Sequence, residues 1–148
     1  MSEQSFEEAT EAGQNLSSRI VYRTDVRPDA ETITALYRAA LLNRPTDNVE
    51  RIRQMYASSN YVLTVWDGER LVAILRGWTD GAYDGYICDL AVHPEYQKLG
   101  IGRQMLRRTH AFDPRIQWIL IASKLAHDYY LHVGWQRIRN GWYWPREQ

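Results

Sequence analysis

Asp89-Leu90-Ala91-Val92-His93-Pro94-Glu95-Tyr96-Gln97-Lys98-Leu99-Gly100-Ile101-Gly102-Arg103 is the stretch whose reading decides the fold. An apolar strand runs into a proline turn, a short loop carries two spaced glycines, and a helix begins. Glycine allows a tight turn and a close approach to a ligand. The first turn of a helix presents unpaired N–H groups and the positive end of its dipole. Together these features make a seat for a phosphate or pyrophosphate.

Outward from this loop the chain alternates strands and helices. Arg19 to Arg23 reads as a strand around Ile20 and Tyr22. Pro28 and Asp29 open a helix in which Ile33, Leu36, Tyr37, Ala40 and Leu41 share a face, and Asn43-Arg44-Pro45 breaks it. Thr46 is placed to cap a second helix with the stripe Val49, Ile52 and Tyr56. Tyr61 to Trp66 and Leu71 to Trp78 form a hairpin about Asp67-Gly68. Tyr86 to Val92 is the central strand, and Gly102 to Phe112 is a helix with Met105, Leu106 and Thr109 inward.

Ile116 to Ala122 is nearly continuous apolar sequence, as expected of a strand covered on both faces. Leu125 to His132 reads as a short helix ended by Gly134, and Trp135 to Ile138 with Trp142 to Trp144 as a closing strand pair or one bent strand. The order predicts an α/β fold with a mixed sheet. The unit from Tyr86 to Ala122 is a right-handed parallel crossover, and hairpins make the rest antiparallel.

The 148 residues suit one domain over 19–148. Met1 to Ser18 is polar and acidic, reads as a disordered tail, and lacks the basic start and apolar core of a secretory signal. Eighteen basic side chains balance eighteen acidic ones, which argues against nucleic acid as the main partner. No apolar run is long enough to span a membrane. The single cysteine, Cys88, excludes an internal disulfide framework and fits a cytoplasmic setting. His93, His110, His127 and His132 show no metal-ligand spacing, so no metal is expected.

Gln97-x-x-Gly100-x-Gly102 after an Ala-Val-His-Pro strand end resembles the acetyl-CoA loop of the GNAT superfamily of N-acetyltransferases. Tyr129-Tyr130-Leu131-His132-Val133-Gly134-Trp135 resembles that family's aromatic-Tyr-x-x-x-Gly-aromatic stretch. The two motifs lie in the family's order, and the resemblance covers most of the chain after residue 18. It implies the GNAT fold: a mixed, mostly antiparallel sheet with a splayed parallel strand pair, flanked by helices, and acetyl-CoA in the gap. No metal is implied.

By that resemblance, the backbone of Leu90, Ala91 and Val92 pairs with the pantetheine arm, and the Val92 amide donates to the thioester carbonyl. Gln97 begins the loop. Backbone N–H groups of Lys98, Leu99, Gly100, Ile101, Gly102 and Arg103 hold the pyrophosphate, with Arg103 or Lys98 adding charge. Tyr130 faces the sulfur and protonates the departing thiolate, while Tyr129 packs. Asp89 is the candidate base, ahead of His93, Asp80 and Asp84. Cys88 on a strand reads as a small buried hydrophobe, not an acyl carrier.

Six tryptophans and ten tyrosines are many for this length. The ending Asn140-Gly141-Trp142-Tyr143-Trp144-Pro145 and the stretch Trp66 to Ala91 resemble the plastid and cyanobacterial serotonin-type branch of the family. The implied activity is acetyl transfer to a primary amine (a small amine, an arylalkylamine or a protein amine) by direct attack in a ternary complex. The alternative is a catalytically idle GNAT-fold module that binds acyl-CoA as a sensor. A homodimer through the aromatic C-terminal strand is one expected assembly. A Rossmann reading fails, because the glycine loop lies late and no acidic residue follows at the required spacing.

Overall fold

The computed structural model describes residues 19–147, so the expected tail at 1–18 lies outside the described residues. Five strands form one sheet in sequence order: β1 (Ile20–Arg23), β2 (Tyr61–Asp67), β3 (Arg70–Thr79), β4 (Asp84–Val92) and β5 (Gln117–Leu120). The first four are antiparallel, and β4 with β5 is parallel. Among the described residues four helices flank the sheet: α1 (Ala30–Ala39), α2 (Val49–Ser58), α3 (Ile101–Phe112) and α4 (His127–His132).

Both faces of the central strands are covered. Ile33, Leu36 and Tyr37 of α1 and Ile52 and Tyr56 of α2 pack on Val62, Ile74 and Ala91. Ile101, Met105 and Leu106 of α3 pack on Leu63, Val65, Leu75 and Ile87. Double coverage explains why Leu71 to Leu75 is an unbroken buried apolar run.

One irregularity positions the site. Arg76 pairs with Asp89 while Gly77 pairs with Ile87, so Cys88 is an extra residue in β4. A bulge of this kind bends the strand and re-aims the side chains beyond it. Ile87, Leu90 and Val92 join the α3-side core, and Ala91 joins the α1/α2 side. Pairing with β5 runs only from Asp84–Gln117 to Ile87–Leu120. Past the bulge, the β5-facing edge of β4 has no strand partner among the described residues, which is the gap the family resemblance implies.

Several boundaries differ from the sequence reading. The first helix stops at Ala39, and Leu41 takes φ 56° with its side chain 90% exposed instead of joining the apolar face. Asn48, not Thr46, caps α2, its side chain accepting from the Arg51 amide. The helix expected from Leu125 is a 3-10 turn, Lys124–Ala126, before α4 begins at His127. The run Ile116 to Ala122 is covered on one face only. Trp118 packs into the α3-side core, while Ile119 and Ile121 are exposed because the helices on the other face lie over β3 and β4.

The closing strands are absent among the described residues, where β5 is the last strand. Trp142, Tyr143 and Trp144 are exposed, not packed. Arg137, Arg139, Asn140 and Gly141 interrupt the apolar alternation, and Pro145 has no N–H for a ladder. Gly134 does end α4. At φ 91° it donates to the Leu131 carbonyl while Trp135 N–H donates to Tyr130, which turns Trp135 back onto the helix.

Candidate active site

The loop after β4 is fixed at both ends. His93 N–H donates to the Val72 carbonyl at 2.8 Å, and Gln97 Nε2 donates to the Val92 carbonyl at 3.0 Å. Tyr96 is buried and donates to Asp67 at 2.6 Å. His93 Nδ1 accepts from the Glu95 amide, which places that ring in the turn rather than in the gap.

Lys98 and Gly100 both take left-handed backbone conformations, at φ 64° and 81°. Gly100 is the residue before α3 and supplies no side-chain cap. The first helical bond runs from Gln104 N–H to the Gly100 carbonyl. The amides of Ile101, Gly102 and Arg103 therefore lie ahead of the helical ladder. Arg103 stands in this first turn, where a cation opposes the helix dipole and an anion relieves it. A Cβ at Gly102 would lie 3.1 Å from the Tyr129 hydroxyl, so a larger residue would close the space above the turn. Open amides, a left-handed glycine, an adjacent guanidinium and an unpaired strand edge form a cradle that fits a pyrophosphate with an extended arm.

The two tyrosines of α4 differ in position. Tyr129, read as packing, has its hydroxyl over Gly102. Burial raises its phenol, and the Arg103 charge opposes the rise. Tyr130 is half-buried with its ring edge-on to Tyr129 and Trp135, at 5.4 and 6.0 Å between centroids. Burial pushes its phenol upward, so it is protonated at neutral pH. Among the described residues its hydroxyl has no hydrogen-bond partner.

Asp89 lies in a network that the sequence reading did not foresee. Its side chain is fully buried. Arg76 Nε donates to Oδ2 at 2.6 Å, Arg44 Nε to Oδ1 at 2.5 Å, and the Tyr37 hydroxyl to Oδ2 at 2.7 Å. Tyr37 also hydrogen-bonds Tyr56. Burial pushes the carboxyl up, but the hydrogen bond and charge of Arg76 and the charge of Arg44 outweigh it and hold the group below its ordinary value. A carboxylate so stabilised is a poor proton acceptor at neutral pH.

Arg76 stacks near Trp78 and Tyr56, at 4.9 and 5.7 Å to the ring centroids. Arg44 comes from the loop between α1 and α2, and its Nη2 donates to the Cys88 carbonyl at 2.6 Å. The Cys88 thiol is pushed up to about 11 by burial, which makes it a weak nucleophile. Asp80 accepts from the amides of Ala82, Tyr83 and Asp84, so its carboxylate serves its own turn. Among the described residues no group of three potential metal ligands comes together, and no helix is long and apolar enough to cross a membrane.

The acetyltransferase (GNAT) family model matches residues 30–135, and the chain belongs to that family of acyltransferase enzymes, for which acetyl-CoA is the implied cosubstrate. A probable acetyltransferase of methicillin-resistant Staphylococcus aureus superposes with a TM-score of 0.72 at 21% identity, over 86% of this chain and 99% of the other. A GNAT family protein of Streptococcus pneumoniae gives 0.68 at 20%, over 87% and 99%. An aminoglycoside acetyltransferase from an uncultured soil metagenome gives 0.65 at 19%, over 88% and 99%. No curated protein matches the chain by sequence.

Proposed function

We propose that the chain, as one catalytic domain over 19–148, transfers an acetyl group from acetyl-CoA to a primary amine by direct attack in a ternary complex. The observation that carries this reading is the coincidence of two features. Among the described residues the β5-facing edge of β4 has no strand partner past Ile87, and β4 leads into a helix start whose first three amides lie ahead of the helical ladder. Bound acetyl-CoA supplies an activated thioester carbonyl.

Of Leu90, Ala91 and Val92, the alternation of the β3 ladder turns Leu90 and the Val92 amide toward the arm, as the donors and acceptor of an added strand, while Ala91 pairs with Ile74. The Val92 amide is assigned to the carbonyl oxygen, where a fixed donor stabilises developing charge. Lys98 to Arg103 are assigned to the pyrophosphate, with Gln97 clamping the loop to Val92. Tyr130 is assigned as the proton donor to the leaving sulfur, since its phenol is protonated at neutral pH.

The acceptor must present a neutral amine, yet with a pKa of roughly 10 only about one alkylamine in a thousand is neutral at pH 7. Asp89 is the candidate base by sequence. Its two arginine partners support a positioning role instead, holding β4 and the α1–α2 loop together. A water relay to solvent can then take the proton. The serotonin-type branch resemblance favours an arylalkylamine acceptor, and the soil relative's name an aminoglycoside. Neither is carried by a residue contact in this site.

The decisive experiment measures CoA release from acetyl-CoA against arylalkylamines, amino acids, aminoglycosides and lysine peptides, with acetyl-CoA affinity measured by calorimetry alongside. Turnover with one class supports the enzyme and names its acceptor. Binding without turnover supports the sensor reading, and absence of binding removes the cofactor assignment.

A further inference from the structure

We propose that the acceptor carries a carboxylate beside its amine, as an amino acid does, and that Arg44, backed by Arg76, receives it. This rests on the acetyltransferase reading above and narrows its acceptor. Arg44 stands where the gap opens, donating to the carbonyl of Cys88 and the carboxylate of Asp89, the two residues just past the last β4–β5 pair. Its side chain is 30% exposed, whereas Asp89 is fully buried, so the solvent side of the network presents guanidinium and not carboxylate.

Charge and donor counts point the same way. Two guanidiniums face one carboxylate, which leaves one positive charge in excess. A guanidinium has five N–H donors. Three of those on Arg44 go to Asp89, Cys88 and Asn43. One remains on each terminal nitrogen, the number a carboxylate takes in a bidentate pair. Arg76 gives Nε to Asp89 and Nη1 to Ser59, and its Nη2 has no acceptor among the described residues.

The excess charge also bears on which acceptors can approach. A cation within a few ångströms disfavours an ammonium and lowers its pKa. The acceptor's own carboxylate offsets the one excess charge, so Arg44 positions the amine and leaves its deprotonation to the water relay. A polycationic acceptor is repelled at the same place.

The test compares tryptophan, tryptophanamide and tryptamine as acceptors for the full chain. Acetyl-CoA affinity is measured by calorimetry, and acceptor binding in the presence of CoA by saturation-transfer NMR. The amino acid is expected to bind and to react with a kcat/KM about tenfold or more above the amide and the amine, since a charge-assisted bidentate contact is lost in both. Arg44→Gln is expected to erase that preference through KM while leaving acetyl-CoA affinity unchanged. Arg44→Lys keeps the charge without the fork and recovers part of the preference. Equal or better binding and turnover of the amide or amine overturns the proposal, as does an Arg44→Gln variant that retains the preference. If acetyl-CoA itself fails to bind, the acetyltransferase reading falls and takes this one with it. Intact acetyl-CoA binding without carboxylate preference overturns only the acceptor proposal.

Discussion

Arg44 Nε lies 2.5 Å from Asp89 Oδ1 and thereby ties the loop between α1 and α2 to β4 at the point where β5 departs. With Arg76 on the other carboxylate oxygen, Asp89 is the pin that joins three segments distant in sequence. Removing one partner from a buried ion pair leaves uncompensated charge. Asp89→Asn is therefore expected to cost about 3 kcal/mol in urea unfolding, at the lower end for such losses because Arg44 is partly solvated. A loss under about 1 kcal/mol, the size typical of an exposed pair, would show that the network is not holding the loop.

The same group sets a pH dependence. The Asp89 carboxyl is held below its ordinary value in the folded protein, so its contribution is complete above the unfolded value of about 4 and fades as pH falls through the lower folded value. The stability difference between wild type and Asp89→Asn should be constant from pH 7 to 5 and narrow below pH 4. A gap that narrows between pH 7 and 5 would mean that the carboxyl is raised, and would return it to candidacy as a base.

Gly100 tests the cradle. At φ 81° no Cβ neighbour crowds it within 4 Å, so an aspartate fits sterically but strains the backbone and brings negative charge to the open amides. Gly100→Asp is expected to lose at least about 1 kcal/mol of stability from the left-handed backbone. Calorimetric acetyl-CoA binding should vanish while far-UV circular dichroism is kept. Retained affinity would move the pyrophosphate site elsewhere.

Much of this was legible in the chain. The glycine loop, the hairpin, the crossover and the inward face of α3 follow from periodicity and turn chemistry, which act over a few residues. What the sequence concealed depends on distant partners. The Cys88 bulge has no local signal, yet it turns Asp89 toward the helices. Arg44 sits in a stretch that reads only as a helix breaker. The visible hint was Arg76 within an apolar strand and Asp89 within its neighbour, since opposite charges in two buried strands imply each other. Trp142 to Trp144 failed in the reverse sense. The aromatic run reads as a closing strand, but among the described residues no strand forms after β5 and the three side chains are exposed.

Cys88 separates two chemistries. At about 11 its thiol is almost wholly protonated at neutral pH, and an acyl-cysteine route would need the thiolate. Cys88→Ala should retain turnover within about twofold, and the native protein should resist iodoacetamide at pH 7.5. Inactivity of Cys88→Ala with preserved acetyl-CoA binding would reinstate covalent transfer.

Tyr129 and Tyr130 lie edge-on to each other, and their hydroxyls divide the work testably. Tyr130 is the assigned proton donor, with a phenol raised by burial. Tyr130→Phe should lower kcat by about 100-fold, the scale of general acid catalysis, with acetyl-CoA affinity nearly unchanged. Tyr129 stands over Gly102 at the open amides, so Tyr129→Phe should weaken acetyl-CoA binding severalfold and spare kcat. Pre-steady-state release of CoA separates the two, because a lost acid slows the chemical step and a lost contact does not. If the kcat loss falls on Tyr129→Phe instead, the hydroxyl nearer the helix start is the acid, and Tyr130 serves to hold it against Trp135.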